Sequence, residues 1–235
     1  MFSIILPVYN EKENIQIIIP LIFQNLNFVE CEIIIVDDDS KDGTDKVSEE
    51  LKNRFKNLKY LNRKNNGRSL GASVADGIKA SKYENIILMD CDLSHSVEDL
   101  IKLVNLKQNN DYDLICCSRF KNNNTTILSL RYQLSKIYNH ILKPFISSKV
   151  LDNLSGFFLL KKNLLDDLNF DNIFYGYGDY YFRLIYYLQK RKDLKIYEMS
   201  FTWVDRQYGK SKTKFLNIFL RYTYEAIKLR LKNLI

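Results

Sequence analysis

Short apolar runs alternate with longer amphipathic segments along the first half of the chain. Runs rich in Ile, Leu and Val predict strands at residues 2–8, 31–38, 58–63, 84–92 and 112–120. Between them, apolar residues at helical spacing predict helices over residues 14–26, 43–55, 69–81 and 96–108. Strands that alternate in this way with helices indicate an α/β fold with a central, mostly parallel sheet flanked by helices.

The second half of the chain departs from this strict alternation. We predict a helix over residues 131–146, and strands over residues 155–162 and 195–204. The segment at 175–191 opens with glycines and is predicted to become an aromatic-rich helix. A polar, basic loop at 205–214 precedes an amphipathic segment at 215–235, which we predict to be a terminal helix. We therefore expect one domain over residues 1–214, followed by the terminal helix as an appendage.

Composition limits the classes of protein to consider. The chain has 235 residues and is 46% hydrophobic, which is enough for a substantial core and too apolar for a disordered protein. Its net charge of +7 indicates an anionic partner, either nucleic acid, a phosphorylated substrate or an anionic membrane surface. The basic residues are scattered, and the aromatic residues lie within apolar runs. This pattern argues against a nucleic-acid-binding module.

The cysteines and the ends of the chain give further expectations. None of the four cysteines forms a C-x-x-C pair, and most lie in or beside apolar runs, so we expect buried thiols in a reducing compartment. The start of the chain becomes polar by residue 9, which does not fit a signal peptide. We find no apolar run of the roughly 18 residues that a membrane-spanning helix needs.

Polar residues follow four of the predicted strands. Residues 7–11 come after the first strand, residues 37–39 after the second, residues 90–92 after the fourth, and Ser118 and Arg119 after the fifth. Because the carboxyl ends of parallel strands meet at one edge of the sheet, where ligands bind in such folds, these residues should lie together. Any one of them alone would be explained by a loop or a helix cap.

Asp90 and Asp92 carry the clearest chemistry. They end an apolar run, and two carboxylates this close repel each other unless a cation lies between them. Carboxylate oxygens suit Mg²⁺ or Mn²⁺, which in turn bridge substrate phosphates. Phosphatases of the haloacid dehalogenase type also carry a D-x-D after a strand, with the first Asp as nucleophile. In those enzymes the motif ends the first strand, whereas several strands and helices precede it here.

Several motifs occur together in a specific order. They are LPVYNEKENI (6–15), VDDDSKDGT (36–44), MDCDLSH (89–95), SRF (118–120), SGFFLLKK (155–162) and RQYGKSK (206–212). This set resembles the family-2 glycosyltransferases, whose nucleotide-sugar-binding fold is called GT-A. The D-x-D-L-S-H and R-x-x-G-x-S-K elements resemble those of the dolichyl- or polyprenyl-phosphate sugar transferases, the branch of dolichol-phosphate mannose synthase. The resemblance spans residues 2–214.

The resemblance implies roles for residues on the donor side. The residues expected to line the nucleotide pocket are Pro7, Tyr9, Glu11, Val36 and Asp38. Asp90 and Asp92 are expected at the diphosphate and its Mg²⁺ or Mn²⁺ ion, and Arg119 at the diphosphate or the sugar. Tyr9 has the alternative of a plain packing role.

The resemblance also implies residues on the acceptor side. Arg131 and Ser135 match an Arg-x-x-x-Ser pair associated with an acceptor phosphate, and their i,i+4 spacing puts them on one helix face. Arg206 and Lys212 belong to a basic loop expected to close over the pyrophosphate. For these three cations, a simple solvated position is the alternative.

Asp179 separates two hypotheses about the acceptor. In the wider superfamily an acid near this position is the general base for a hydroxyl acceptor, but Asp179 is equally suited to cap a helix. A phosphate acceptor is already anionic and needs cationic positioning instead of a base.

The resulting expectation is a metal-dependent inverting transferase that moves mannose or glucose from GDP-mannose or UDP-glucose to a polyprenyl phosphate. The alternative is a transferase of the same fold that acts on a glycan or another hydroxyl acceptor, with Asp179 as base. We expect no nucleic-acid partner, and peripheral association with the cytoplasmic face of a membrane.

The terminal helix leaves its own alternatives open. Its apolar cluster at residues 215–220 and the basic residues beyond it are typical of a helix in a membrane interface. The same features fit packing on the domain, a contact with a second copy, or a contact with a membrane partner subunit.

Overall fold

The structure is a computed structural model that describes residues 1–121, 130–204 and 215–232. It contains a seven-stranded sheet with the order β3-β2-β1-β4-β6-β5-β7. The strands are β1 (Phe2–Val8), β2 (Cys31–Asp37), β3 (Leu58–Asn62), β4 (Asn85–Leu88), β5 (Leu114–Ser118), β6 (Phe158–Lys161) and β7 (Ile196–Ser200). All neighbouring strands pair in parallel except β6, which runs antiparallel to β4 and β5 between them. The predicted mostly parallel α/β sheet is confirmed.

The helices follow the predicted order. They are α1 (Lys12–Asn25), α2 (Thr44–Arg54), α3 (Leu70–Ala80), α4 (Val97–Asn109), α5 (Leu130–Ile146), α6 (Asp179–Leu188) and α7 (Phe215–Lys232). Among the helices of the described ranges, none combines the length and the apolar character that crossing a bilayer requires.

Side-chain alternation along the central strands builds a core on each face of the sheet. Ile4 and Leu6 of β1 pack with α1 and α4 on one face, and Ile5 packs with α3 and α6 on the other. Because both faces are covered, the central strands are apolar without the polar alternation of a half-exposed sheet. At about 25 cal/mol per Å² of apolar surface, this burial is the main force that holds the layers together.

A third apolar cluster joins the last helix to the rest of the molecule. Tyr138 of α5, Phe182 of α6 and Tyr222 of α7 are buried in it. The Tyr138 and Thr223 hydroxyls lie 3.1 Å apart across the α5–α7 contact. The inner face of α7 therefore packs on the body of the protein. Packing on the domain is one of the alternatives predicted for the terminal helix.

The carboxyl ends of β1, β2, β4, β5 and β7 point to one edge of the sheet, because the two antiparallel contacts of β6 restore the common direction. The polar residues that follow these strands therefore share that edge, as predicted from the sequence. We call it the carboxyl edge.

Several elements are shorter than predicted, and two of these differences shape the carboxyl edge. β4 ends at Leu88, because the residues after it form a tight loop in which Leu93 has a φ of +64°. α6 begins at Asp179, after the glycine-containing opening of the 175–191 segment, because Gly176 has a φ of +77°. A left-handed backbone cannot continue a helix, and only glycine adopts it without strain.

Candidate active site

A cavity of about 380 Å³ opens at the carboxyl edge beside β1, β2 and β4, and we call it the first cavity. Predicted donor-site residues line it, namely Pro7, Tyr9, Glu11, Asp38, Asp90 and Asp92. Its other walls come from the N-terminal end of α3, from the loop before α6, and from α7. Segments distant in sequence thus meet around one space, as expected for a ligand site at the carboxyl ends of parallel strands.

Tyr9 lies in this cavity beneath a residue that the sequence analysis missed. The guanidinium carbon of Arg68 is 3.8 Å from the centre of the Tyr9 ring, which is cation–π geometry. Arg68 also lines the cavity. A flat cationic group above an aromatic ring gives this end of the cavity two surfaces on which a nucleobase can stack.

The three consecutive acids after β2 have different environments. Asp37 is completely buried, and its carboxylate accepts hydrogen bonds from the Ser40 backbone N–H at 2.9 Å and the Tyr60 hydroxyl at 2.8 Å. Asp38 accepts a hydrogen bond from the Ser69 backbone N–H at 2.7 Å and is paired with the Arg63 guanidinium. Only Asp38 of the three lines the first cavity. Asp37 therefore stabilises the turn, and Asp38 joins β2 to the start of α3.

His95 organises the loop that carries Asp90 and Asp92. The Asp90 backbone N–H donates to His95 Nδ1 at 3.0 Å, and the Ser94 N–H donates to Asp92 Oδ1 at 3.1 Å. The imidazole is buried and stacks on the Phe157 ring, with 4.7 Å between ring centres. Burial lowers the pKa of His95 to about 4, so the ring is neutral near pH 7 and carries its proton on Nε2.

The chemistry of the two carboxylates fits a divalent cation. Asp90 is exposed, Asp92 is 7% exposed, and both line the first cavity. Within the described ranges, no group of three or more His, Cys, Asp or Glu residues is placed to hold a metal. Mg²⁺ and Mn²⁺ sites that include a substrate diphosphate need only one or two protein carboxylates. The pair therefore suits a metal shared with a diphosphate better than a closed protein cage.

A second cavity of about 230 Å³ adjoins the first. Both cavities are lined by Leu70, Asp90, Tyr177 and Ile218. The walls of the second cavity are largely aromatic and include Tyr132, Tyr138, Tyr180, Trp203, Phe219 and Tyr222. Ser135 and Arg119, both predicted site residues, also line it. A group bound in one cavity therefore meets a group bound in the other at Asp90.

Arg119 lines the second cavity, and its guanidinium is fixed by an ion pair with Asp152. Its Nε and Nη2 donate to the two carboxylate oxygens of Asp152 at 2.7 and 2.8 Å, and Asp152 is completely buried. Burial alone would lower the pKa of Arg119, but pairing with Asp152 outweighs it and raises the pKa. The side chain of Arg119 is therefore a fixed cation, placed on the second-cavity side of Asp90.

Asp179 lies outside both cavities. It is completely buried, and one carboxylate oxygen accepts from Arg183 Nη1 at 2.6 Å and from Arg221 Nη2 at 3.0 Å. The other oxygen accepts from the Tyr177 backbone N–H at 2.8 Å. A general base must reach the acceptor's proton and needs a raised affinity for it. The oxygens of Asp179 instead accept hydrogen bonds from two guanidinium groups and a backbone N–H, so this geometry fits a structural anchor.

The remaining predicted residues are either buried in the core or lie where the structure does not describe their side chains. Val36 is completely buried against α3, where one of its methyl carbons would lie 3.2 Å from a Cβ at Gly77. Arg206 and Lys212 lie outside the described residues. The structure describes Arg131 only as part of the α5 backbone, one turn before Ser135.

Other cavity residues went unassigned at the level of sequence. Arg68 and Arg221 line the first cavity, and His95 and Trp203 line the second. His95 belongs to the quoted MDCDLSH motif, and membership of this motif is the only feature of the sequence that points to a role for it. No pattern marks Arg68 or Arg221 among the many basic residues of this chain.

Sequence comparison assigns the family once this geometry is known. The family model described as glycosyl transferase family 2 matches residues 3–168. The chain belongs to this family. The match includes Tyr9, Asp38, the Asp90–Asp92 loop and Arg119.

The curated relatives include proteins of the predicted branch of family 2. The chain is 31% identical to a dolichol-phosphate mannosyltransferase of Pyrococcus furiosus, over 96% of this chain and 63% of that protein. It is 28% identical to a dolichol-phosphate mannosyltransferase of Saccharomyces cerevisiae, over 72% of this chain and 63% of that protein. The chain thus spans slightly less than two thirds of the length of these two relatives.

Solved structures confirm the GT-A fold. Glucosyl-3-phosphoglycerate synthase of Mycobacterium tuberculosis with bound UDP superimposes with a TM-score of 0.74 at 16% identity, over 98% of this chain and 80% of that one. The same enzyme with Mn²⁺, UDP-glucose and glycerol 3-phosphate gives a TM-score of 0.70 at 19% identity, over 98% and 79% of the two chains. At such identities the likeness establishes the fold alone.

Proposed function

We propose that this protein transfers a hexose, mannose or glucose, from a nucleotide sugar to a polyprenyl phosphate, with inversion at the anomeric carbon. The observation that carries the proposal is the pair of cavities that meet at Asp90. The first cavity holds the residues matched to nucleotide-sugar binding, and the second presents a fixed guanidinium among aromatic walls. Similarity to the two dolichol-phosphate mannosyltransferases supports the lipid-phosphate acceptor.

The second cavity suits an acceptor that needs no general base. Among its described lining residues the only carboxylate is Asp90, which the proposal assigns to the metal. His95 cannot accept a proton there, because Nδ1 already accepts the Asp90 N–H and Nε2 carries the ring proton. A phosphate acceptor is anionic near pH 7 and attacks without losing a proton in the same step. Arg119 supplies the positive charge that binds and orients it.

The proposed reaction is a single displacement. An oxygen of the acceptor phosphate forms a bond to the anomeric carbon while the bond from that carbon to the donor diphosphate breaks. The electron pair of the broken bond goes to the diphosphate oxygen, and a nucleoside diphosphate leaves. Guanidinium groups at the carboxyl edge stabilise negative charge on the acceptor phosphate and on the leaving diphosphate. Such electrostatic stabilisation is usually the largest single contribution of a preorganised site to catalysis.

Asp90 and Asp92 would hold the Mg²⁺ or Mn²⁺ ion. When bound, the metal neutralises the charge that collects on the leaving diphosphate. The Mn²⁺ in the M. tuberculosis enzyme supports a divalent metal here, since both chains have the GT-A fold. His95 fixes the backbone of the loop that carries both carboxylates, through its bond to the Asp90 N–H.

The hydroxyl-acceptor alternative finds less support. It requires Asp179 as a base, and this carboxylate is buried, paired with two arginines and absent from the lining of both cavities. The phosphate acceptor therefore remains the favoured proposal.

A lipid acceptor requires a membrane contact, and α5 and α7 present a suitable surface. Their outward residues are 38–66% exposed, namely Ile137, Ile141, Phe145, Leu220, Tyr224, Ile227 and Leu231. We call this set the outer apolar face. The predicted apolar cluster is divided, because Ile218 and Phe219 line the second cavity whereas Leu220 lies on the outer apolar face.

Charge around the outer apolar face favours an anionic membrane surface over a protein partner. α5 contains no acidic residue, and the only acid of α7 is Glu225, which is buried. Exposed basic residues on the two helices include Lys136, Lys228 and Arg230. Each basic residue near an anionic bilayer contributes about 1 kcal/mol to binding. The second cavity lies beneath the same two helices, so a lipid phosphate would reach it directly from the membrane.

The decisive experiment measures sugar transfer from labelled GDP-mannose and UDP-glucose to a short polyprenyl phosphate, with Mn²⁺ or Mg²⁺. Label is followed into the organic phase. Parallel reactions contain glycerol 3-phosphate, which tests a soluble phosphorylated acceptor. We expect metal-dependent label in the lipid with one donor.

Asp92→Asn is the matched control, because it removes one charge without changing side-chain size. We expect it to abolish transfer while the protein remains folded. Nucleoside diphosphate release without labelled lipid would leave the donor assignment standing and contradict the acceptor. Failure of every donor to bind or react would contradict the transferase proposal itself.

A further inference from the structure

We propose that Arg221 of α7 is a binding residue for the donor diphosphate, and that Asp179 is the residue that positions it. This inference rests on the proposed function, because it assumes that a nucleoside diphosphate occupies the first cavity. It assigns a role to α7, which lies after the residues matched by the family model.

The first argument is the position of Arg221. It lines the first cavity together with Ile218, Asp90 and Asp92. Ile218 and Arg221 are three residues apart on α7 and therefore share one helix face. Because Ile218 and Asp90 also line the second cavity, that face lies where the two cavities meet. The scissile bond of a donor would lie at this junction.

The second argument is how firmly the side chain is held. Nε and Nη2 of Arg221 donate to one oxygen of Asp179 at 3.1 and 3.0 Å. Asp179 is completely buried, whereas the Arg221 side chain is 40% exposed, so the guanidinium extends from a fixed anchor toward solvent. A guanidinium has five N–H donors. Asp179 accepts from only Nε and Nη2, so other N–H groups of Arg221 are not used by Asp179.

The third argument is the glycine beside it. A Cβ built on Gly176 would overlap the Arg221 guanidinium, so no larger residue fits while Arg221 is in place. The same loop is tied to α3, because the Gly176 N–H donates to Ser69 Oγ at 3.0 Å. Asp38 in turn accepts from the Ser69 N–H. Contacts therefore run from the donor-side carboxylate Asp38 to Arg221 on α7.

The fourth argument is charge. The described charged residues that line the first cavity are the acids Glu11, Asp38, Asp90 and Asp92 and the bases Arg68 and Arg221. A diphosphate would be repelled by this excess of acids without compensating cations. A bound metal offsets part of it. Arg68 lies over the Tyr9 ring, at the end assigned to the nucleobase, which leaves Arg221 for the phosphates.

Arg183 shares Asp179 but cannot take this role. It donates to the backbone carbonyls of Ile173 and Tyr175, and its Nη1 lies 3.5 Å from Glu225. Arg183 does not line the first cavity. Asp179 thus binds two arginines, Arg183, which is buried in the core, and Arg221, which lines the first cavity.

The test compares Arg221→Gln with Arg54→Gln, which removes the same charge from an exposed position on α2 outside both cavities. Binding of UDP and GDP is measured by titration calorimetry in Mn²⁺, with uridine and guanosine as phosphate-free counterparts. We expect Arg221→Gln to weaken binding of the preferred diphosphate tenfold or more, because it removes a charge-assisted hydrogen bond. Nucleoside binding should be unchanged, and Arg54→Gln should resemble the wild type.

Arg221→Lys keeps the positive charge and should restore part of the affinity. A purely structural role would lower nucleoside and diphosphate affinity together, and that result would overturn the inference. Equal diphosphate affinity in Arg221→Gln and the wild type would also overturn it. If the wild type binds neither UDP nor GDP, the proposed function fails, and the inference fails with it.

Discussion

Arg119 and Asp152 form a two-pronged ion pair, in which Nε and Nη2 of the arginine each meet one carboxylate oxygen, at 2.7 and 2.8 Å. A third bond, from the Arg119 backbone N–H to Asp152 at 3.1 Å, fixes the main chain as well. The pair joins the end of β5 to the segment after α5. It gives the second cavity a cation whose position does not depend on a flexible loop.

Replacement of Asp152 tests whether this cation binds the acceptor. We expect Asp152→Asn to raise KM for polyprenyl phosphate about tenfold, because Arg119 loses the partner that orients it. The same change should lower the free energy of unfolding by about 3 kcal/mol, since it breaks a buried ion pair. Acceptor titration of the transfer assay and urea unfolding measure the two effects. Unchanged KM at reduced stability would contradict the role of Arg119 in acceptor binding.

Asp179→Asn distinguishes an anchor from a base. As an anchor, Asp179 stabilises two guanidinium groups, so we expect a loss of about 3 kcal/mol in the free energy of unfolding. Transfer at saturating donor should fall by less than about tenfold, because the proposed reaction with a phosphate acceptor needs no base. Removal of a true general base costs about 10²–10⁴ in rate. A loss of that size in kcat, from protein shown to be folded by circular dichroism, would revive the hydroxyl-acceptor alternative.

The outer apolar face predicts binding to anionic vesicles. We expect the wild type to cosediment with vesicles that contain phosphatidylglycerol and much less with neutral vesicles. Ile141→Glu combined with Ile227→Glu should abolish this binding, because both changes place a negative charge on the face. Phe28→Glu is the control, since Phe28 is also exposed but lies between α1 and β2, away from α5 and α7. Equal vesicle binding by the double variant would contradict the proposed surface.

Glu32 predicts part of the acid sensitivity of the fold. Burial alone would raise the pKa of Glu32, but hydrogen bonds from Lys59, Ser3 and the Lys82 backbone N–H outweigh it and lower the pKa. Since the folded pKa lies below the unfolded value, Glu32 stabilises the protein above the unfolded pKa of about 4.3. This stabilisation is lost as the pH falls through the folded pKa.

We therefore expect Glu32→Gln to reduce stability at pH 7 and to weaken the dependence of the free energy of unfolding on pH between about 5 and 3. Glu50→Gln, at an exposed position on α2, should leave the profile of the wild type unchanged. Urea unfolding at several pH values measures both. A Glu32→Gln profile as steep as that of the wild type would contradict the assignment.

The fold could be predicted because strand alternation and helical spacing are local. The run from Phe2 to Val8 reads as a strand, and the structure has β1 over the same residues. The same logic brought Asp38 and Asp90 to one edge, since parallel strands align their carboxyl ends. The antiparallel insertion of β6 was not predictable from these patterns, because pairing partners depend on contacts between distant segments.

The less predictable part of the site depends on packing between helices. Arg221 enters the first cavity only because α7 docks on α5 and α6, and nothing in its own segment marks that contact. Val36 shows the opposite case. It lies in the quoted motif VDDDSKDGT, yet strand alternation turns its side chain into the core beneath α3. Motif position places the backbone of a residue, and the sheet then decides which way the side chain points.

The order of the segments along the chain has a consequence for synthesis. The sheet and both metal-side carboxylates belong to residues that leave the ribosome before α7, whereas α7 closes one wall of each cavity. A nascent chain that ends at β7 has the nucleotide-side residues but lacks Ile218, Arg221 and Tyr222. Under the proposed function, a nucleotide sugar would therefore meet both walls of the first cavity only after α7 has been translated, so the proposed site forms after the sheet.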